Sequence, residues 1–143
     1  MDISLDNCCF NRPFDDQTSL RIHLESEAIK AILASCNTNQ WHLIISQVTQ
    51  FEMAKTPDDS KRKELELMIS SADVIVEIND AILNRAKLFE SYGIKAFDAM
   101  HLACAENHAD VLLTVDDKFL KKAKNVTTLI VVNNPLKWLE EVL

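Results

Sequence analysis

The segment from Phe97 to Phe119, FDAMHLACAENHADVLLTVDDKF, constrains the fold more than any other part of the chain. Its first half predicts a helix that is apolar on most of its circumference, which is typical of a buried helix. A polar break then leads to the short apolar run Val111–Val115, which indicates a buried strand. Asp98 and Asp116 stand at the edges of these two elements. Because a buried carboxylate is costly unless it is paired, hydrogen-bonded or metal-bound, both acids are candidates for a functional site.

Apolar runs that predict strands alternate with segments of helical periodicity along the whole chain. The predicted strands are Met1–Leu5, His42–Ser46, Val74–Ile78, Val111–Val115 and Thr128–Val132. This alternation favours an α/β fold of three layers, α/β/α, with a central and mainly parallel sheet of about five strands. A chain of 143 residues can bury a proper core, and we expect one domain over residues 1–143.

The composition excludes several classes of protein. Gly93 is the only glycine, whereas a P-loop or a dinucleotide-binding fingerprint needs several. The chain starts with MDISLDNCC, which lacks the basic region of a signal peptide, and no apolar run is long enough to span a bilayer. The four cysteines show no secreted disulfide framework, so we expect reduced thiols, a cytoplasmic location and no membrane association.

Four acids that are far apart in the sequence are expected to meet at one edge of the sheet. Asp6 and Asp116 follow predicted strands, Glu52 lies about one turn into the helix after the second strand, and Asp98 begins the helix before the fourth. In folds of this class, ligands bind outside the carboxyl ends of the strands. Oxygen-only ligands select hard cations such as Mg²⁺ or Mn²⁺.

Each of these acids also has a purely structural explanation. Glu52 could close a capping box with Thr49. Asp98 could be a first-turn residue favoured by the helix macrodipole, and Asp116 could cap the lysine-rich helix that follows. Asp6 could simply end a strand at a turn. The convergence of all four acids on one edge favours a shared site over four separate explanations.

The same residues carry a resemblance to a known family. The segments LDNCCFNRPF after the first strand, FE in a helix, FDAMHLACA and LLTVDDKF resemble the acidic motifs of PIN-domain nucleases in order and spacing. The similarity extends over nearly the whole chain. It implies a parallel sheet flanked by helices and metal-dependent cleavage of RNA to 5′-phosphate and 3′-hydroxyl ends, often by the VapC-like toxin of a toxin–antitoxin pair.

Carried over residue by residue, the resemblance implies a catalytic and metal-binding set of Asp6, Glu52, Asp98 and Asp116, with Mg²⁺ or Mn²⁺ as cofactor. Asn7 stands where many relatives have threonine or serine, and it would support the acids together with Thr114. Asp117 is the alternative fourth acid, but Thr114-x-Asp116 with Phe119 three residues further on fits the family spacing better. The implied partners are an RNA substrate, an antitoxin protein and a second copy of the chain in a homodimer. The residues that bind the substrate are not predicted.

Other interpretations of these motifs were weighed against the nuclease. A zinc site of His101, Cys104 and His108 would share a helix face but lacks a well-placed fourth ligand, so core packing is favoured. A phosphoacceptor receiver domain normally begins with an acidic pair, whereas Asn7 follows Asp6 here. The serious alternative is a non-catalytic PIN-like module that binds RNA or protein, although all four acids are present. Since metal chemistry needs no histidine base, we expect His101 to pack in the core or to support the acids.

The charge of the chain does not favour a nucleic-acid partner by itself. The formal net charge is −7, and phosphate contacts require lysine and arginine. Basic residues nevertheless form two groups, one from Lys55 to Lys63 and one from Lys118 to Lys124. The simpler interpretation of each group is a solvated helix face.

Overall fold

The computed structural model describes residues 1–143, and its centre is a sheet of five strands that all run parallel. The strands are β1 (Asp2–Leu5), β2 (His42–Ser46), β3 (Val74–Val76), β4 (Val111–Leu113) and β5 (Val131–Asn133). Their order across the sheet is β3-β2-β1-β4-β5. β2 and β3 therefore lie on one side of β1, and β4 and β5 lie on the other. The carboxyl end of β1 is the point of strand-order reversal where α/β folds bind ligands.

Eight helices cover the two faces of the sheet. They are α1 (Asn7–Asn11), α2 (Leu20–Asn37), α3 (Gln47–Ala54), α4 (Asp59–Ile69), α5 (Asp80–Ser91), α6 (Ala96–Glu106), α7 (Asp117–Val126) and α8 (Pro135–Val142). Successive residues of a strand point to opposite faces. Accordingly, Ile44 packs with α5, α6 and α7, whereas Leu43 and Ile45 pack with α1, α2, α4 and α8. The predicted three-layer α/β/α architecture is confirmed, and no helix is long and apolar enough to cross a membrane.

Helix α6 is as deeply buried as its apolar composition predicts. Every residue from Ala99 to Glu106 except Met100 is buried, and Leu102 is completely inaccessible. The preceding helix ends as predicted, because Gly93 adopts a φ of +91° and its N–H donates to the Glu90 carbonyl over 2.9 Å. Only glycine adopts this conformation without strain, so Gly93 sets the turn that leads into α6.

The predicted ends of three strands were wrong. β3 ends at Val76 rather than Ile78, and the N–H of Ile78 donates to the side chain of Gln47 over 2.8 Å. β4 ends at Leu113 rather than Val115, because Thr114 turns its side chain to the acids at the end of β1. β5 begins at Val131 rather than Thr128, because Thr127 holds a turn by accepting the N–H of Leu129 over 3.1 Å. The loop predicted after β1 is also more regular than expected, with α1 followed by a 3₁₀ turn at Arg12–Phe14.

Candidate active site

Asp6 is placed at the end of β1 and is almost completely buried, with 4% of its surface exposed. The register pairs Leu5 with Leu113, so that the residues following β1 and β4 come together. The hydroxyl of Thr114 donates to Asp6 Oδ2 over 3.0 Å, and the thiol of Cys8 donates to the same oxygen over 3.3 Å. Asp6 is thus a buried carboxylate held in place by hydrogen bonds, as its position at the end of a strand predicts.

Glu52 reaches the same edge from α3. Its Oε1 is hydrogen-bonded to Nε2 of His101, and its Oε2 accepts from Nδ2 of Asn7 over 3.4 Å. The same nitrogen of His101 lies 3.8 Å from Oδ1 of Asp6. His101 therefore bridges two of the predicted acids, which come from elements 46 residues apart in the sequence (Asp6 and Glu52).

The capping-box explanation of Glu52 is wrong. The N-cap of α3 is Ser46, whose hydroxyl accepts from the N–H of Thr49 over 3.5 Å. The third residue of the helix is therefore Thr49, and Glu52 is too far along α3 to complete a capping box. Its carboxylate is free to face β1.

Asp98 lies in the first turn of α6 and connects the four acids electrostatically. Burial and, to a smaller extent, the negative charges of Asp6 and Asp116 raise its pKa to about 6. Glu52 adds a smaller repulsion, whereas His101 acts in the opposite direction. A macrodipole alone would lower the pKa of an acid at this position. The four carboxylates thus share one electrostatic environment.

His101 is the positive partner within this cluster. Burial lowers its pKa, but the hydrogen bond to Glu52 and the charges of Asp6, Glu52 and Asp98 outweigh burial, so the pKa is raised overall. An imidazolium here offsets part of the negative charge. The sequence predicts a core or supporting position for His101 but not this contact. The available signal was its position three residues after Asp98, which places both side chains on one helical face.

The structure separates the two candidates for the fourth acid. Asp116 is the N-cap of α7, and its Oδ1 accepts from the N–H groups of Lys118 and Phe119 over 3.0 and 3.1 Å. Its own N–H donates to the hydroxyl of Thr114, which also contacts Asp6. Both capping bonds use Oδ1, so the other oxygen is not occupied by the cap.

Asp117 faces away from the cluster and toward α2. Both of its oxygens are bound by Arg21, with Nη1–Oδ2 and Nη2–Oδ1 distances of 2.9 and 2.8 Å. This contact with Arg21 lowers the pKa of Asp117. Asp117 makes a surface ion pair, whereas Asp116 contributes to the field at Asp98.

The donor set fits a hard divalent cation. It comprises the carboxylates that follow β1, lie in α3 and α6 and precede α7, together with the side-chain oxygen of Asn7, which is buried without a hydrogen-bond partner. Such cations take oxygen ligands of this kind. No three His, Cys, Asp or Glu side chains are grouped closely enough to hold a metal ion as they stand.

The zinc alternative finds no support in the packing of α6. His101 faces Glu52, whereas Nδ1 of His108 is hydrogen-bonded to the carbonyl of Cys104 over 2.9 Å. Cys104 is buried in the apolar core.

A small cavity of about 50 Å³ opens beside Asp98 and Asp116. Three lysines also line it, Lys95, Lys118 and Lys122. A larger cavity of about 500 Å³ lies on the opposite face of the sheet between α2 and α4, away from the acids. The acidic site is therefore a shallow edge with adjacent cations rather than a deep pocket.

Comparisons with known proteins agree with this architecture. The family model of the PIN domain matches residues 18–125, which contain three of the four acids but not Asp6. No curated protein gave a significant match. Among solved structures, FitAcB from Neisseria gonorrhoeae is 21% identical with a TM-score of 0.63, covering 93% of this chain and 97% of that one.

Two further structures are similar at comparable levels. VapBC2 from Rickettsia felis, bound to a DNA fragment from its promoter, is 15% identical with a TM-score of 0.61, covering 94% of this chain and 98% of that one. FitAB bound to the IR36 DNA fragment is 21% identical with a TM-score of 0.59, covering 94% and 95%. At these identities the structures establish a shared fold. Since the family model matches more than half of the sequence and the architecture agrees, the chain belongs to the PIN-domain family.

Proposed function

We propose that this protein is a divalent-metal-dependent endoribonuclease whose site is formed by Asp6, Glu52, Asp98 and Asp116. The observation that carries the proposal is the convergence of the acids: His101 contacts Glu52 and Asp6, and Thr114 contacts Asp6 and the N–H of Asp116. The charges of Asp6, Asp116 and Glu52 also act on Asp98. A carboxylate with a raised pKa at the ligand-binding edge of an α/β sheet, such as Asp98, is typical of functional sites. Members of the PIN-domain family are generally nucleases, which supports the same conclusion.

Each acid has a distinct structural support for this role. Thr114 orients Asp6 and contacts Asp116 through the N–H of the latter, while His101 and Asn7 orient Glu52. Asp98 lies in the first turn of α6, where burial and neighbouring charges raise its pKa, and a bound cation would favour its ionised form. When bound, Mg²⁺ or Mn²⁺ would activate water and stabilise charge on the scissile phosphate.

The test of this proposal is cleavage of single-stranded or looped RNA by the purified chain in Mg²⁺ or Mn²⁺. We expect EDTA, Asp6→Asn and Asp98→Asn each to abolish cleavage while the circular dichroism spectrum is retained. The matched control is Asp117→Asn, which removes a neighbouring acid outside the cluster and should leave cleavage intact. The expected products carry 5′-phosphate and 3′-hydroxyl ends. Cleavage that persists in EDTA would contradict the metal mechanism.

The alternative is a non-catalytic PIN-like module that binds RNA or protein. This alternative is favoured by the spacing of the acids, because no three of them are grouped closely enough to hold a metal ion. The same experiment separates the two, because a binding module would retain RNA without cleaving it under any metal condition.

We further propose that the protein is a cytoplasmic toxin of a type II toxin–antitoxin pair and that it forms a homodimer. The similarity to FitAB and VapBC2 complexes supports a partner protein. An acidic edge suits an antitoxin that inserts an arginine or lysine among the carboxylates in competition with metal. We expect a small protein encoded by a neighbouring gene to be recovered with this chain after co-expression. Growth arrest by this chain that no neighbouring protein relieves would argue against the pair.

A further inference from the structure

Two half-exposed phenylalanines lie directly beside the acids. Phe51 and Phe97 are 50% and 48% exposed, whereas the other four phenylalanines are buried or partly buried. Leaving large apolar rings in water forgoes the stabilisation that burial would supply. Exposed apolar groups that lie together mark contact surfaces more often than isolated ones do.

The two rings form one surface. They belong to α3 and α6, their centroids are 6.1 Å apart, and their planes are inclined by 30°. Each ring immediately precedes an acid of the cluster, since Phe51 is followed by Glu52 and Phe97 by Asp98. The rings join the same two helices that meet through the hydrogen bond between Glu52 and His101, so the pair borders the acidic edge.

Cations accompany the acids on both sides of β1. On the β2 side, Nζ of Lys55 lies 4.2 Å from the centre of the Phe51 ring. On the β4 side, Lys118 and Lys122 line the cavity that contains Asp98 and Asp116. A single-stranded nucleic acid that crosses the acidic edge would therefore pass a lysine on either side of the acids. Cationic groups bind the phosphates of a nucleic acid, and aromatic faces stack on its bases.

We propose that Phe51 and Phe97 form a platform on which unpaired bases of the RNA stack beside the cleaved bond, with Lys55 at the adjoining phosphate. The inference rests on the proposed nuclease function and specifies its substrate as single-stranded. Bases within a duplex are already stacked and cannot reach the platform. Because every base has an aromatic face, stacking of this kind selects single-strandedness rather than a particular base.

The experiment measures binding of a short single-stranded RNA that carries 2-aminopurine, whose fluorescence changes on stacking. All variants contain Asp98→Asn, so that binding in Mg²⁺ is recorded without cleavage. We expect Phe51→Ala and Phe97→Ala each to weaken binding by roughly tenfold or more and to abolish the stacking signal. Phe51→Tyr keeps an aromatic face and should bind normally, whereas Phe51→Leu keeps apolar volume only and should behave like alanine.

The control is Leu129→Ala, at a 63% exposed position before the amino end of β5, on the opposite edge of the sheet. It should bind RNA normally. The stacking proposal is wrong if Phe51→Leu binds RNA normally, or if neither Phe51→Ala nor Phe97→Ala weakens RNA binding. It is also wrong if Phe51→Ala dissociates a dimer with RNA binding unchanged, because the surface would then bind a second copy.

Failure of this inference is distinguishable from failure of the nuclease proposal. If the protein with Asp98 intact cleaves RNA equally well with and without Phe51, the nuclease stands and the platform is wrong. If that protein binds RNA through Phe51 and Phe97 but never cleaves it, the platform stands and the proposed reaction is wrong.

Discussion

At the scale of single residues, Asp98 is a carboxylate whose surroundings disfavour its ionised form. Its carboxylate is partly buried, and the charges of Asp6, Asp116 and Glu52 act against its ionised form, while His101 acts in the opposite direction. Ionisation of Asp98 therefore costs more free energy in the folded chain than in the unfolded chain and lowers the stability of the fold. Active sites often retain such destabilising groups.

Asp98→Asn should stabilise the protein in EDTA at neutral pH by about 1 kcal/mol. Asparagine keeps the shape of the side chain and removes one of the repelling charges. This expected gain in the free energy of unfolding is smaller than the pKa shift of Asp98 alone would imply, because solvent screens a partly exposed group. Thermal unfolding of the two proteins tests this expectation. A lower melting temperature for Asp98→Asn would show that Asp98 is a structural residue of the helix end.

The stabilising effect of Asp98→Asn should depend on pH. A folded-state pKa of about 6 exceeds the unfolded value of about 3.9, so the protonated form favours folding. This contribution is complete below the unfolded pKa and is lost as the pH rises through about 6. We therefore expect the denaturant midpoint of Asp98→Asn to exceed that of the wild type by an amount that grows between about pH 4 and pH 6. Above about pH 6 this difference should stay constant. If the midpoints of the two proteins differ by the same amount at every pH from about 4 to 7, the pKa of Asp98 is not raised on folding.

The sequence predicts which acids meet but not how their neighbours hold them. Strand ends locate Asp6 and Asp116 because parallel strands share one edge. The contact of His101 with Glu52 depends on how α3 packs against α6, and no local pattern encodes that packing. Likewise, Arg21 binds Asp117 from a helix 96 residues earlier in the sequence.

At the scale of elements, α7 begins at an acid with two roles. Asp116 caps the helix through Oδ1 and also contributes to the charge around Asp98. The structural explanation of this residue is therefore correct, and it does not exclude the functional one. A single carboxylate can do both because it has two oxygens.

Substitutions at Asp116 should separate these two roles. Asparagine is a good N-cap, so Asp116→Asn should retain stability and lose cleavage, since it removes the charge. Asp116→Ala removes the cap as well and should destabilise the protein by about 1 kcal/mol. Unfolding and cleavage measured on the same preparations test both expectations. Full cleavage by Asp116→Asn would remove Asp116 from the proposed site.

The types of the elements follow from the sequence better than their ends do. Apolar periodicity distinguishes the strands from the helices, and β2 has the predicted bounds His42–Ser46. The ends of β4 and β5 were wrong because side chains from distant elements, Asp6 and Glu106, bind Thr114 and Thr127 there. Such tertiary contacts override local strand preference.

At the scale of the whole molecule, the layer architecture follows from the alternation of elements, but the strand order does not. All five strands are short, and β1, which lies in the middle of the sheet, alternates polar and apolar residues, so composition does not identify the central strand. The order places β1 between β2 and β4 and thereby brings Asp6 between Glu52 and Asp116. The site is a consequence of this topology.

Divalent metal should stabilise the whole protein. An ion that binds only the folded state raises stability in proportion to the logarithm of its concentration over its dissociation constant. We expect Mg²⁺ or Mn²⁺ to raise the melting temperature of the wild type and to raise that of Asp98→Asn less. The advantage of the variant in EDTA should therefore narrow or reverse. Equal shifts for both proteins would indicate that the ions bind elsewhere.

The most direct test of the central claim is a calorimetric titration of Mn²⁺ into the wild type and five variants. If four acids form one cation site, Asp6→Asn, Glu52→Gln, Asp98→Asn and Asp116→Asn should each weaken binding by at least about tenfold. Asp117→Asn should bind as the wild type does, because Arg21 already holds that carboxylate. The account is contradicted if the wild type binds no Mn²⁺, or if Asp117→Asn weakens binding as much as Asp116→Asn.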